Sequence, residues 1–399
     1  MFTQTNGHWA LEQKAGKWSL QSFAERQNRP FYIYDLDDAM IRADRFLASK
    51  AHVHFAMKAN SLPRLLKAFA KRGLGADVVS LGELQLALKS GFAPQKIIFS
   101  GVAKGREELE AALAHEILQI NVESFEELRA LADLCESSGK SASIALRVNI
   151  HLDAPTHKHI QTATSESKFG LDMRQLGAVL DWLKSQPKIR LKALAVHIGS
   201  QIMDISVFED MSRIMGEMYR DVSHQGFPLE RLDLGGGLGL DYKTTGSDDL
   251  ASLDRYLAAV MKAHGSPAQI VLEPGRFLVA RMGVLMAKVV YVKRAVERNF
   301  LILNGGMNCL MRPALYEAYH RIEPVSTRDA ADTETYTIVG PICESTDVFA
   351  DARTLPKLQS EDWVAVFDAG AYGAVMANTY NESPFPQQWS VMEGAVEVF

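Results

Sequence analysis

The sequence has little cysteine, no long apolar run and no large excess of either charge. Its 399 residues contain three cysteines, Cys135, Cys309 and Cys343, with no CxxC spacing, so neither a disulfide framework nor a metal site is expected. The longest apolar stretch, residues 277–290, is interrupted by basic residues and is too short for a bilayer span. The 43 basic and 48 acidic residues nearly balance, and no basic stripe suggests a nucleic-acid or membrane partner.

The first sixteen residues, MFTQTNGHWALEQKAG, also lack the apolar core of a secretory signal. Together with the scarcity of cysteine, this predicts a reduced, cytoplasmic protein. A hydrophobic fraction of 47% is ordinary for a globular protein with a large core. A chain of this length suits two domains, or one barrel with an attached domain.

Eight short strand-like runs alternate with amphipathic segments from about residue 50 to residue 280. The runs are HVHFAM (52–57), ADVVS (76–80), KIIFS (96–100), ILQINV (117–122), SIALRVNI (143–150), LKALAVHIG (191–199), LERLDLGGG (229–237) and QIVLEPG (269–275). Helical patterns such as LPRLLKAFAKRG and SFEELRALADLCESSG lie between them and close with glycine. Strand–helix alternation implies parallel pairing, and eight repeats favour a (β/α)8 barrel over an open doubly wound sheet.

The pattern changes after residue 281. Strand-like runs such as GVLMAKVVYVKR, NFLILN and WVAVFDAG follow one another without a long helix, which predicts an antiparallel β domain. We therefore expect a barrel over residues 36–280 and a β domain over residues 281–399. The segment 1–35, which contains FYIY, is expected to complete the β domain.

Polar residues collect at the ends of the predicted barrel strands, where barrels of this kind carry their active sites. They are Lys58, Asp77, Ser80, Arg147, Asn149, His197, Ser200, Gly235, Gly236, Gly237, Glu273 and Arg276. Each alone has an ordinary structural interpretation: a surface lysine, a core histidine, a tight glycine turn or a buried ion pair. Their occurrence around one rim favours an active site.

Three of these features indicate a particular chemistry. A lysine that leaves a barrel core, as Lys58 does, is partly desolvated and suits Schiff-base formation. The triple glycine of LDLGGGLGL lets backbone N–H groups approach an anion closely. A carboxylate such as Glu273 can keep a pyridine nitrogen protonated, so that the ring accepts electrons.

Seven motifs resemble the fold-type III pyridoxal-phosphate (PLP) decarboxylases, and the diaminopimelate decarboxylases in particular. They are FAMKANS, HIGSQ, DLGGGLG, LEPGR, MRPALYEAYH, GPICEST and FDAGAYG, in that family's order between about Phe31 and Tyr380. The resemblance implies an alanine-racemase-type barrel with a β domain, PLP as cofactor, and a homodimer whose active site is shared across the interface. The implied reaction converts meso-diaminopimelate to L-lysine and CO2, the last step of lysine biosynthesis.

The resemblance also implies a cofactor-binding set. Lys58 looks like the lysine that forms the Schiff base, His197 like the residue stacked on the ring, and Glu273 like the partner of the pyridine nitrogen. The residues that resemble the phosphate-binding part are Ser200, Gly235, Gly236, Gly237, Gly275, Arg276 and Tyr372. The implied catalytic set consists of Lys58, His197, Glu273 and Cys343. Cys343 resembles the general acid that is supplied to the partner subunit's site.

The implied substrate-binding set fits a substrate with two amino-acid ends. It consists of Arg276, Arg312, Tyr316, Glu344 and Tyr372. Arginine forks bind a distal carboxylate, and Glu344 offers an anion for the distal ammonium. An ornithine or arginine decarboxylase needs acidic groups for a cationic tail instead.

Two alternatives stay open at this point. One is a related enzyme acting on ornithine, arginine or lysine, or a racemase; the other is a non-catalytic, decarboxylase-like regulatory protein. The presence of Lys58, Glu273 and Cys343 argues against the second. Two departures from the family pattern concern local detail: Cys309 occurs where an acidic residue is usual, and the sequence after Asn381 diverges.

Overall fold

The computed structural model describes residues 1–150 and 168–399 of the chain. These residues divide into two compact units. The barrel unit comprises Arg42–Leu240 and Ser247–Phe277, and the β unit comprises Met1–Ile41, Asp241–Gly246 and Leu278–Phe399. Within the described residues, no helix combines the length and the apolar character that a bilayer crossing requires.

Eight parallel strands close into a barrel. In chain order, and called barrel strands one to eight below, they are His52–Ala56, Gly75–Val78, Ile97–Phe99, Gln119–Val122, Ala142–Asn149, Ile189–Ala195, Arg231–Asp233 and Gln269–Leu272. Each strand pairs with the next, and strand eight returns to strand one through Val271 and Leu272. The predicted eight runs and the barrel are therefore confirmed. A short additional strand, Leu171–Asp172, pairs with strand five.

Helices alternate with these strands. Between residues 36 and 279 the described helices are Leu36–Leu47, Pro63–Arg72, Leu81–Lys89, Arg106–His115, Phe125–Ser138, Leu176–Leu183, Ile205–His224, Asp249–Ala263 and Arg276–Val279. Capping residues mark the helix ends, as one helix shows. The Ser124 hydroxyl accepts the Glu127 N–H at the start of one helix, and Gly139 ends that helix in the left-handed conformation, at φ +71°.

The β unit contains strands from both ends of the chain. They are Phe2–Thr5, His8–Gln13, Gly16–Ser19, Phe31–Asp35, Gly283–Arg294, Asn299–Leu303, Ile322–Pro324, Thr333–Val339, Val348–Pro356, Trp363–Val366, Gln387–Met392 and Ala395–Val398, with short helices at Leu20–Ala24 and Arg312–Tyr316. The FYIY segment is part of Phe31–Asp35, which lies between Gly283–Arg294 and Gln387–Met392. A core around Trp9, Phe31, Trp363 and Phe367 holds the unit together.

Most strand pairs of the β unit are antiparallel, as expected, and two are parallel. Asn299–Leu303 pairs in parallel with Thr333–Val339, and Phe31–Asp35 pairs in parallel with Gln387–Met392. Both pairs join segments that are distant in the chain. A long connection lets a strand return in the same direction as its partner, whereas a tight turn imposes antiparallel pairing.

Candidate active site

Lys58 lies directly beyond the end of barrel strand one, in the 3-10 turn Met57–Ala59. Its Nζ lies 3.9 Å from Oδ2 of Asp77, and its side chain is 43% exposed while that of Asp77 is buried. Gly275 packs closely against this turn, because a Cβ on Gly275 would lie 3.2 Å from the Cβ of Ala59. The amine thus stands at the open end of the barrel beside a buried carboxylate.

Glu273, beyond the end of strand eight, belongs to a group of buried carboxyls. Burial, and then the neighbouring Asp233 and Asp77, raise the pKa of Glu273 well above its usual range, while the charge of Lys58 opposes this shift. Burial likewise raises the pKa of Asp233 to about 6. The electrostatic interaction with Lys58 places the two residues in one site.

His197 is held as a neutral imidazole. Burial, together with the charges of Lys58 and Arg147, lowers the pKa of His197 well below its usual value. Its Nδ1 accepts the N–H of Gly236 at 3.4 Å, so the proton of the neutral ring is on Nε2. A neutral, oriented imidazole offers a flat face to a planar ligand.

The triple glycine is required by close backbone packing. A Cβ on Gly236 would lie 2.4 Å from the carbonyl oxygen of Glu273, and one on Gly237 would lie 2.4 Å from that of Gly199. Gly235 has a φ of +64°, and its N–H donates to Asp233 at 3.0 Å. The turn therefore packs directly against the backbone beyond the ends of strands six and eight, an approach that only glycine permits.

Arg276 is oriented by Ser200, because its Nη2 donates to the Ser200 hydroxyl at 3.2 Å. Two other predicted rim residues, Ser80 and Asn149, lie in the secondary structure around the site. Ser80 caps the following helix by accepting the Glu83 N–H at 3.2 Å. Asn149 lies at the end of strand five, where it pairs with the short additional strand at residues 171–172.

Sequence reasoning missed Glu123, which is buried at the same end of the barrel. Its Oε1 accepts from Arg147 Nη1 at 2.7 Å and from the Gly101 N–H at 3.1 Å, and its Oε2 accepts from the Gly170 N–H at 3.0 Å. One carboxylate thus joins strand five, through Arg147, to the segments that contain Gly101 and Gly170. A signal was visible in the sequence, since polar residues alternate at 119, 121 and 123 of an otherwise apolar strand.

The remaining predicted site residues lie in the β unit. Arg312 is buried there, with its Nη1 2.9 Å from Nε2 of His320 and its guanidinium over the ring of Tyr242. Tyr316 ends the short helix that begins at Arg312 and is partly buried. Tyr372 adopts a left-handed φ of +55°, a conformation in which most side chains are disfavoured.

Cys343 and Glu344 lie on an exposed loop of the β unit. The Cys343 N–H donates to Oδ1 of Asn381 at 2.9 Å, and the Tyr380 hydroxyl donates to Glu344. A second residue that sequence reasoning missed, the buried Asp347, holds this loop by accepting the Ile342 N–H at 2.7 Å. The thiol and the carboxylate are therefore presented side by side.

Cys309, the departure from the family pattern, lies in the interior of the β unit. Burial raises the pKa of its thiol to about 11, so the group is neutral at physiological pH. Its backbone carbonyl accepts the Tyr32 hydroxyl at 2.8 Å. The substitution thus places an uncharged side chain at this position.

Comparisons with known proteins agree with this arrangement. The pyridoxal binding domain of the pyridoxal-dependent decarboxylases matches residues 34–280. A diaminopimelate decarboxylase of Zymomonas mobilis is 39% identical over 373 residues, covering 92% of this chain and 88% of that protein. The structure of diaminopimelate decarboxylase from Helicobacter pylori complexed with L-lysine has a TM-score of 0.89 at 34% identity, covering 95% of each chain. Its M. jannaschii counterpart, also in complex with L-lysine, has a TM-score of 0.88 at 32% identity, covering 98% of this chain and 94% of that one. The chain therefore belongs to the pyridoxal-dependent decarboxylase family and, within it, to the diaminopimelate decarboxylases.

Proposed function

We propose that the chain decarboxylates meso-diaminopimelate to L-lysine and CO2 with PLP as cofactor, the last step of lysine biosynthesis. The single observation that carries the proposal is the grouping of Lys58, His197 and Glu273 at one end of the barrel in a member of this family. An amine, a flat neutral ring and a buried carboxyl are the three groups that a pyridoxal ring requires.

The residues present fit PLP. When bound, PLP supplies an aldehyde that captures an amine and a ring that accepts the electron pair left by the departing carboxyl group. Lys58 presents the amine and His197 the flat face. The glycine turn packs without side chains against the ends of strands six and eight, which leaves its backbone N–H groups as the donors for an anion. The Arg276 guanidinium, held by Ser200, adds positive charge for a phosphate.

Glu273 has the properties expected of the group opposite the ring nitrogen. Burial, and then Asp233 and Asp77, raise its pKa well above the usual range. With the cofactor bound, a carboxyl group in this position would keep the ring nitrogen protonated. His197 contributes no charge there, because its pKa is lowered.

We assign to the distal end of the substrate the residues that the family resemblance implies. Arg312 is the fork for the distal carboxylate, with Tyr316 and Tyr372 beside it in the proposed set, and Glu344 is the anion for the distal ammonium. Since His320 and Tyr242 hold the Arg312 guanidinium, its donors are oriented before any substrate binds.

Cys343 is the proposed proton donor to Cα of the product. Its exposure in the single chain fits a role in the site of a second copy, and we therefore propose a homodimer with shared active sites. We retain residues 36–280 and 281–399 with 1–35 as the proposed domain bounds, and a cytoplasmic location as part of the same proposal.

The experiment is a panel of amino acids in which released CO2 is measured with the PLP-loaded protein. We expect CO2 from meso-diaminopimelate and none from ornithine, arginine or lysine. Turnover of ornithine would refute the substrate assignment and leave the cofactor assignment intact. A protein that binds no PLP would refute the enzyme assignment itself.

A further inference from the structure

A chain of buried side-chain hydrogen bonds crosses the barrel interior and ends at Glu273. It begins at Arg231 of strand seven, whose Nε donates to Oε1 of Gln119 at 3.1 Å. Gln119 Nε2 donates to Oδ1 of Asn121 at 2.7 Å, and Asn121 Nδ2 lies 3.4 Å from Oε1 of Glu273. We call Gln119 and Asn121 the amide relay. Both are on strand four, two residues apart, and both are buried.

The donor–acceptor direction of every hydrogen bond in this chain follows from its first residue, Arg231. A guanidinium has donors and no acceptor, so the amide oxygen of Gln119 must face Arg231 and its NH2 group must face onward. That NH2 group then meets the oxygen of Asn121, which turns the Asn121 NH2 group toward Glu273. The relay therefore presents a donor, and not an acceptor, to the Glu273 carboxyl.

The same two amides also contact other polar groups around Glu273. Gln119 Nε2 lies 3.4 Å from Oδ2 of Asp233, and Asn121 Nδ2 donates to the Ser100 hydroxyl at 3.0 Å. Asp233 in turn accepts the N–H of Gly235 at 3.0 Å. One network thus joins the carboxyl of strand eight to the glycine turn after strand seven.

We propose that Gln119 and Asn121 are positioning residues that orient Glu273 and stabilise its carboxylate form, the form that would face the ring nitrogen of the cofactor. This inference rests on the proposed function, because it requires Glu273 to face that nitrogen. Two neighbouring acids, Asp233 and Asp77, and burial itself all oppose an ionised Glu273. A buried carboxylate needs donors, and Asn121 is the donor at the end of a chain that is polarised by a cation.

Asn121→Leu is the direct test, since it removes the donor without adding charge and keeps a similar shape. The probes are PLP and an analogue in which a C–H group replaces the ring nitrogen, with dissociation constants measured by titration. The relay acts only through the ring nitrogen, so the preference for PLP over the analogue should fall about tenfold, as for loss of a hydrogen bond to a charged group. Affinity for the analogue should stay within about twofold.

Gln269→Leu is the matched control. It makes the same amide-to-leucine change on strand eight, the strand that precedes Glu273, but at its exposed end, and it should leave the preference unchanged. An unchanged preference in Asn121→Leu, or equal losses for both ligands, overturns the inference. Wild-type protein that binds neither ligand overturns the proposed function instead, so the two failures are distinguishable.

Folding of each variant is checked by circular dichroism and thermal melting. Should Asn121→Leu fail to fold, Gln119→Leu decides the matter, because it breaks the relay one link further from Glu273. A smaller loss of the PLP preference in the same direction supports the relay, and no loss overturns it.

Discussion

Nζ of Lys58 lies 3.9 Å from Oδ2 of Asp77, so that a half-exposed amine and a buried carboxylate meet at the ends of adjacent barrel strands. Burial raises the pKa of Asp77, and the charge of Lys58 lowers it again. The net shift of the Asp77 pKa is upward, so the charge of Lys58 offsets only part of the cost of burying this carboxylate.

Lys58→Arg should abolish the visible absorbance that PLP gives with the wild-type protein, and Lys58→Ala should do the same. Arginine retains the positive charge beside Asp77 but cannot form an imine with an aldehyde. Absorbance spectra after PLP addition and removal of the excess provide the measurement. The control is Lys67→Arg, an exposed change in the next helix, which should stay yellow; a yellow Lys58→Arg protein would contradict the assignment.

Gly236→Ala should weaken PLP binding and destabilise the fold by about 1–3 kcal/mol, the usual cost of overpacking. Its Cβ would lie 2.4 Å from the Glu273 carbonyl oxygen, which is backbone and has little freedom to move. Gly177→Ala is the control, because the space around that helical glycine is open; it should gain up to about 1 kcal/mol. The measurements are urea unfolding and PLP titration of both variants. Equal free energies of unfolding and equal PLP affinities in the two variants would exclude a special role for the turn.

Lys58→Ala and Cys343→Ala should each be nearly inactive, and mixing the two variants should restore activity. If the subunits exchange freely, half of the dimers are mixed and each mixed dimer contains one intact site, which gives about a quarter of wild-type activity. Cys343→Ala should still bind PLP. Complete failure of the mixture, under conditions in which subunit exchange is demonstrated, would show that Cys343 acts within its own chain or not at all.

His54, buried in barrel strand one, should make the barrel unit sensitive to acid. Burial lowers the pKa of His54 from 6.5 to about 3, so below pH 6.5 the unfolded chain takes up a proton that the folded chain refuses. Its contribution to stability is complete above that pH and falls by about 1.4 kcal/mol per pH unit on the way to pH 3. In urea unfolding, the free energy of unfolding of His54→Gln should fall less steeply than that of the wild type between these pH values. Parallel pH profiles of the free energy of unfolding for variant and wild type would refute this.

The barrel could be predicted because its strands are marked in the sequence. Strands such as Ile97–Phe99 are buried on both faces and therefore read as short apolar runs, while Ser124 and Gly139 mark the ends of a helix between strands. The parallel pairs of the β unit could not be predicted in the same way. Their partners are remote in the chain, and a run such as NFLIL carries no mark of its neighbour's direction.

The predicted site residues stood out because each follows a strand or lies in a distinctive motif. The supporting polar residues did not. Glu123 accepts the backbone N–H of Gly170 and Asp347 accepts that of Met307, each at least 40 residues away in the sequence. His320 orients Arg312 from within the β unit. Such roles depend on three-dimensional proximity, which a single sequence does not contain.

The most direct measurement is borohydride reduction of the PLP-loaded protein, followed by proteolysis and mass spectrometry of the peptides. Reduction makes the link between an amine and the cofactor aldehyde permanent, so the modified residue can be located. We predict one phosphopyridoxyl group per chain, on the peptide that contains Lys58. Modification of another lysine, with Lys58 unmodified, would contradict it.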